Sequence, residues 1–523
     1  YNKYINFIIY KNIFIINTTI QMKLNLIYCK NTQNLIGINN ELLFTIPEDM
    51  KHFKNITTQE YIKDHKNIVI MGYNTWKSIP ERYRPLDNRI NIIITENHYD
   101  EFNGIDDTGI FLVFKSFEKC YHFLKNAEIS KNMMGKKFII GGSQLYNYVY
   151  DNYHSNLDII YETFINYSFN TELLDNFEIN CSKLNFKINT DNLFSKITYN
   201  YIDDSNINLN KNIKEYFNSI DELHGIQINM YQNINNINYD EKQYLDLMRN
   251  ILYRNNIKDS RNSKVISSFG EKMVFDLRKG FPLLTTKRIP FKTVLRELLW
   301  FIKGSTSNKE LNDKNVHIWD ANASKEFLSK QGLNYEEGEL GPVYGFQWRR
   351  FGAEYYDKRK TYLQEEGVDQ LQNIIDMIKN DPTSRRIILS AWNPVDIPKM
   401  ALPPCHVMIQ FNIDGEYIDA QLYQRSGDMF LGIPFNIASY SILLHIIGSI
   451  TGYTPRYFNH VLGDAHIYMN HLDAINEQFQ RVPHEFPKLR LQEKITDINN
   501  IDENNFILER YNHYPTIKAE MIA

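Results

Sequence analysis

The chain has 523 residues, 43% of them apolar and 23% charged, with a formal net charge of −4. That length accommodates two or three domains with separate cores, and the balanced charge offers no footprint for a nucleic-acid or membrane partner. Cys29, Cys120, Cys181 and Cys405 lie far apart without metal-ligand spacing, which points to a reducing, cytoplasmic compartment and to no metal.

Residues 1–21 lack an initiator Met, and Lys11 interrupts their apolar run, so a spanning helix is not expected. No small-residue cleavage site is visible either. The stretch reads as upstream coding sequence or a disordered leader before Met22, with a degenerate targeting segment as the alternative.

From Lys23 to about residue 180, "KLNLIYC", "NIVIMG", "RINIIIT", "KKFIIGG" and "DIIYETFI" are strand-like runs rich in Ile and Val. Their lack of polar alternation suits an α/β domain whose sheet is covered on both faces. "LLFTIPEDMKHFK" (42–54) puts Pro47 at a helix start and sets Asp49 and Phe53 four apart on one face. A carboxylate on an apolar face can donate a proton near neutrality. At a helix start it can equally satisfy backbone N–H groups, and this stretch alone favours that role. "KKFIIGGSQLYNYVY" (136–150) is strand, Gly-Gly, helix, a turn that lets backbone approach a phosphate or merely turns the chain.

Together, "LIGINNELLF", "IPEDMKHF", "IVIMGYNTWKSIP", "RPLDNRINIIIT", "FIIGGSQLY" and "IIYETF" resemble the dihydrofolate reductase family. The resemblance implies that the sheet is mostly parallel, and that Asp49 binds the pteridine and promotes its protonation, with Thr163 behind it. It places Ile27, Cys29, Phe53 and Ile79 on the folate pocket and Arg89 on the carboxylate of the glutamate tail. Gly37, Thr75, Thr95, Gly141, Gly142, Ser143 and Gln144 are implied to hold NADPH. Phe44 stands where the family usually has Trp. Tyr73 and Asn74 replace a common Arg or Lys, and Glu96 faces the expected 2′-phosphate position. A carboxylate there repels phosphate, so discrimination between NADPH and NADH is expected to be weak unless Lys77 or Lys115 compensates.

Residues 183–238 turn polar and Asn-rich and read as a junction with short helices, after a first domain at 22–182. "EKQYLDLMRNILYRN" then spaces Leu245, Met248, Ile251 and Leu252 as a helix, opening a second, α+β domain over 239–523. In "MALPPCHVMIQ" Cys405 and His406 are strand neighbours that point to opposite faces, so His406 is badly placed to deprotonate the thiol. The following "HVMIQFNIDGEYIDAQLYQRSGD" is a hairpin turning near Asp414-Gly415. A two-residue turn sets Gln424 across from Cys405, and a bulged three-residue turn sets Arg425 there. Either brings a guanidinium near the sulfur, which favours thiolate. Arg385 and Arg386 of "DPTSRRIILSAWNP", with Arg425 and Arg261, are either solvated or able to enclose a phosphate. His466 and Tyr468, two apart, can share a strand face.

With "FPLLTTKR", "ELLWFIKGSTS", "LGPVYGFQWR" and "GDAHIYMNH", these stretches resemble the thymidylate synthase family from about residue 241 to the end. The resemblance implies that Cys405 attacks C6 of dUMP, which then takes a one-carbon unit from 5,10-methylenetetrahydrofolate. It assigns Arg261, Arg425 and Ser426 to the phosphate, with Arg385 and Arg386 entering from the partner of a homodimer. Gln424, Asp428, Asn436, His466 and Tyr468 are implied to contact the nucleotide. Glu297 organises proton transfer, and Tyr344 lies near the nucleophile. Lys287, Ile318, Trp319, Leu402, Asp428 and the terminal Ala523 serve the folate. The family's glycine-rich loop is replaced by "KDSRNSKVISSFG", which puts the role of Arg261 in question. The two resemblances imply a bifunctional chain of the kind found in protozoa and plants. A dCMP hydroxymethylase is disfavoured because Asn436 stands where those relatives have Asp, and a scaffold role for the first half has only Tyr73 and Glu96 in its favour.

Overall fold

The structure, a computed structural model, describes residues 22–521 except 60, 62–64, 103–110, 130–134, 170–180, 191–192, 203–207, 210–225, 261–262 and 364. Residues 1–21, Arg261 and Ala523 therefore lie outside the described residues. The chain divides into two units, Tyr1–Ile237 and Asn238–Ala523.

In the first unit the apolar runs form β1 (Leu24–Asn31), β2 (Asn67–Gly72), β3 (Arg89–Ile94), β4 (Phe111–Phe114), β5 (Lys137–Gly141) and β6 (Leu157–Ile165). These six are mutually parallel, and the five inner ones are mostly buried, as unalternating Ile/Val runs require, while the edge strand β4 is mostly half-buried. Two further strands, β7 (Phe194–Ile202) and β8 (Ile226–Asn233), complete an eight-stranded sheet in the order β7-β8-β6-β1-β5-β2-β3-β4, with β8 antiparallel to both neighbours. The reading of 183–238 as a junction with short helices is thus corrected. Buried Ile226, Ile228, Met230 and Tyr231 belong to the first unit's sheet, with Gln227 and Asn229 alternating between the first three. The helices that matter for the site are α1 (Pro47–Thr58), α2 (Tyr73–Ser78) and α3 (Ser143–Tyr153).

The second unit opens with α4 (Tyr239–Arg254), whose Leu245, Met248 and Ile251 are buried as expected. Its six-stranded sheet runs β9 (Ile257–Asp259), β10 (Lys264–Asp276), β14 (Thr454–Tyr468), β13 (Tyr417–Asp428), β12 (His406–Asp414), β11 (Ile388–Ser390). One face packs on α8 (Gly432–Thr451), helped by α5 (Phe291–Lys303), α6 (Tyr344–Arg350) and α7 (Gln370–Asn380). By length and composition α8 could cross a membrane, but most of it is buried in this core. The opposite face of the sheet leaves Val274, Tyr423 and Ile388 more than a third exposed.

Candidate active sites

In the first unit Pro47 occupies the first turn of α1, where its missing N–H costs no hydrogen bond, and Asp49 follows two residues later. Thr163, on β6, donates its hydroxyl to Asp49 Oδ1 at 2.5 Å. Burial pushes the Asp49 carboxyl up, and the Thr163 hydrogen bond opposes this in part. Cys29 sits across from Thr163 on β1 and stays a thiol, because burial and then the Asp49 charge raise its pKa. Ile27 shares that face of β1, and its carbonyl accepts from the Tyr146 hydroxyl at 2.6 Å. Sequence reasoning passed over Tyr146; the signal was a tyrosine one turn into the helix that follows the Gly-Gly pair.

Arg89 is 5% exposed, donates to Thr57 Oγ1 at 2.8 Å and to the Asp87 carbonyl at 2.9 Å, and lies 5.8 Å from the Phe53 ring. Pro80 and the residue before it, Ile79, close the end of α2. The C-terminal ends of parallel strands, where open α/β sheets bind ligands, carry the remaining group. Gly141, at φ +135°, and Gly142 precede the eleven-residue α3, so Ser143 opens a helix with free N–H groups. A Cβ on Gly141 would come within 2.9 Å of Thr75 Oγ1, and one on Gly37 within 2.7 Å of the Glu41 carbonyl. Thr95 accepts from the His98 N–H, and Gln144 is exposed. Tyr73 stacks on His98 at 3.9 Å and donates to Glu101 at 2.7 Å, and Glu96, two residues before His98, is exposed.

In the second unit the hairpin register resolves the open choice. Asp414 pairs with Tyr417 around Gly415-Glu416, and a bulge between His406 and Met408 shifts the ladder by one. Arg425 thus lies opposite Cys405, and its N–H donates to the Cys405 carbonyl at 2.9 Å. The guanidinium donates to the carbonyls of Pro404 and Pro403, both at 2.9 Å, and approaches Cys405 Sγ at 3.8 Å. Tyr344 accepts from the Cys405 N–H at 2.7 Å. Burial nevertheless pushes the thiol up, and Arg425 and then Tyr344 only oppose it. Arg425 therefore favours the thiolate, against the larger opposing effect of desolvation.

His406 does not bond the sulfur. It is buried between Tyr344 and Tyr440, with ring centroids 5.0 and 5.2 Å away, and burial lowers it to about 4 although Asn436 hydrogen-bonds it. Asn436 Oδ1 accepts from Gln424 at 3.1 Å, and Gln424 Oε1 meets His460 Nε2 at 2.8 Å. This relay was not visible in the sequence, since it joins β12, β13, β14 and α8. Glu297, on α5, is lifted to about 7 by burial, against one hydrogen bond from Trp319 at 2.8 Å. Ile318 and Leu402 border the same core. Ser426 accepts from Gln424 through its carbonyl. His466 and Tyr468 pack edge to face at 5.2 Å, with His466 against Asp464. Lys287 is turned inward: its ammonium donates to the Phe430 carbonyl, and burial lowers it to about 7. Asp428 accepts from the Phe430 N–H at 2.9 Å. Arg385 and Arg386 are exposed just before β11 and form no ion pair among the described residues.

Residues 242–523 match the family model for thymidylate synthase, and residues 23–202 that for dihydrofolate reductase. A bifunctional dihydrofolate reductase-thymidylate synthase of Zea mays is 39% identical over 93% of this chain and 94% of its own length. That of Plasmodium chabaudi is 37% identical over 88% of this chain and 84% of its own. A Homo sapiens thymidylate synthase is 54% identical over 54% of this chain and 91% of its own length. The chain belongs to the bifunctional dihydrofolate reductase–thymidylate synthase family.

Proposed function

We propose that the two sites divide the work of one folate cycle between the residues described above. The chain converts dUMP to dTMP with 5,10-methylenetetrahydrofolate, and reduces the dihydrofolate so formed to tetrahydrofolate with NADPH. In the second unit Cys405 adds to C6 of dUMP, and the electrons of the C5=C6 bond move into an enolate that attacks the one-carbon unit. Loss of the C5 proton and hydride transfer from the folate release dTMP, free Cys405 and dihydrofolate. Asn436, oriented by the Gln424 N–H on its oxygen, has its amide N–H and the oxygen's second lone pair to offer the uracil edge. Glu297, near half-protonation at neutrality, can both take and return a proton. Arg425 orients the loop that carries Cys405 and adds positive charge for the phosphate.

In the first unit Asp49, held by the Thr163 hydroxyl, binds the pteridine and promotes its protonation. The Gly141-Gly142 turn and Thr75 leave backbone open to a dinucleotide, so this chain's residues fit NADPH. NADPH, when bound, supplies the hydride.

We further infer a cytoplasmic homodimer through the uncovered sheet face of the second unit. Tyr423, Val274 and Ile388 there, and the unpaired Arg385 and Arg386 at its edge, suit a second copy that completes the phosphate site. The observation that carries the reading is the convergence of Cys405, Arg425 and Tyr344 within hydrogen-bonding reach in one unit, and of Asp49 and Thr163 in the other. Assaying dTMP synthesis and dihydrofolate reduction on one purified preparation tests it: both activities are expected, and absence of the second under either reduced nicotinamide would favour a scaffold.

A further inference from the structure

Two adjacent cross-strand rows on the first unit's sheet point to opposite faces. On β1, β6 and β8 the residues Cys29, Thr163 and Ile228 lie opposite one another, and Thr163 holds Asp49. One residue earlier on β1 and β6 and one later on β8, the row Tyr28–Glu162–Asn229 points the other way. Glu162 is 3% exposed. It accepts from the Tyr231 hydroxyl at 3.0 Å, from Asn229 Nδ2 at 3.1 Å and from the Tyr28 hydroxyl at 3.3 Å, and pairs with Lys30 Nζ at 3.0 Å. Burial, and then the Glu162 charge, push both tyrosine hydroxyls up, so they remain donors.

Such a carboxylate is costly to bury, and an apolar set of similar volume would serve stability as well. What distinguishes the network is where it leads. Lys30 Nζ also donates to Asn34 Oδ1 at 3.0 Å. Asn34, at φ +61°, forms the turn from β1 into the short strand Leu35–Ile38, which carries Gly37. Its carbonyl receives the Leu184 N–H at 2.9 Å. On the other side, Tyr28 packs against Tyr146 at 5.6 Å, and Tyr146 holds the Ile27 carbonyl of the folate-facing row.

We propose that the Lys30–Glu162 pair is a positioning device for dihydrofolate reduction. Glu162 fixes the three strands at the level of Thr163, and Lys30 transmits that position to the turn that sets Gly37 against the nicotinamide nucleotide. Neither residue touches substrate. The inference rests on the reductase reading of this unit.

The test uses the full-length chain, with dTMP synthesis as the internal control and wild-type dihydrofolate reduction established first; its absence would remove the reductase reading rather than this proposal. E162Q keeps an acceptor for Tyr231 but strips Lys30 of its counter-charge. It is expected to raise the KM for NADPH about tenfold, as loss of placement at a site does, with dTMP synthesis unchanged. K30R, which keeps the charge pair, is expected to stay within about twofold of wild type, and K30M to resemble E162Q. The double variant K30M/E162L replaces the buried pair by apolar groups; it is expected to recover thermal stability but not the KM. A purely structural role would instead lower the melting temperature and the active fraction while leaving KM unchanged, and recovery of KM in K30M/E162L would overturn the proposal equally. Should E162Q not fold, K30M and K30R carry the same comparison.

Discussion

At Cys405 the decisive quantity is the balance between one guanidinium and the burial of the sulfur. Removing Arg425 takes away its contacts to two proline carbonyls and the only cation within 4 Å of the sulfur among its described contacts. Lost charge-assisted bonds of this kind cost about 3 kcal/mol, so R425A is expected to lower kcat/KM for dUMP roughly 100-fold. H406A is expected to cost less, since His406 reaches the reaction only through Asn436. Steady-state kinetics of the two variants settle the order, and a larger loss in H406A would assign the histidine the greater role. Glu297 offers a pH test. Its folded pKa of about 7 lies above that of an exposed glutamate, so the folded state binds the proton more tightly. Its contribution to stability is therefore fully present below about pH 4.5 and is lost as pH rises through 7, a change of about 3 kcal/mol. E297Q should abolish dTMP synthesis yet melt at a higher temperature than wild type at pH 8, with the difference vanishing near pH 5. Thermal melts at the two pH values measure this, and an E297Q melting below wild type at pH 8 would contradict it.

Among the elements, the junctions after β2 and β3 bear on cofactor choice. Tyr73, His98 and Glu101 form a closed stack there, and Glu96, two residues before His98, is exposed. Lys77, 5.4 Å from the Tyr73 ring, and Lys115, over Tyr99, are the cations at hand. Two carboxylates beside a phosphate dianion oppose its binding, so NADPH is expected to be favoured over NADH by less than about tenfold. Y73R should widen the gap through a bidentate phosphate contact. Ratios of kcat/KM for the two nucleotides decide the matter, and a large wild-type preference for NADPH would refute it. These elements also mark how far the sequence was legible. Unbroken Ile/Val runs disclosed the parallel strands, and Pro47 disclosed the start of α1. The strands Phe194–Ile202 and Ile226–Asn233 were hidden by the Asn-rich composition around them, which reads as a polar junction although Ile226, Ile228 and Met230 alternate with Gln227 and Asn229. The register at Cys405 was undecidable, because a bulge one residue from the nucleophile leaves no mark in composition. The Gln424–His460 relay was hidden because its members meet only through sheet pairing.

For the whole molecule the claim is that two units carry two separable chemistries, and that the synthase site is completed by a second copy. If Arg386 serves the partner's Cys405, then C405S and R386A chains, each inactive in dTMP synthesis, should regain activity when unfolded and refolded together. Half of the sites in a mixed dimer then hold both native residues. No recovery in verified mixed dimers would argue for sites complete within one chain. The division of labour itself is tested most directly by measuring both reactions on C405S and on D49N. The account predicts that C405S loses dTMP synthesis and keeps dihydrofolate reduction, while D49N shows the reverse. Loss of both activities in either folded variant would contradict it.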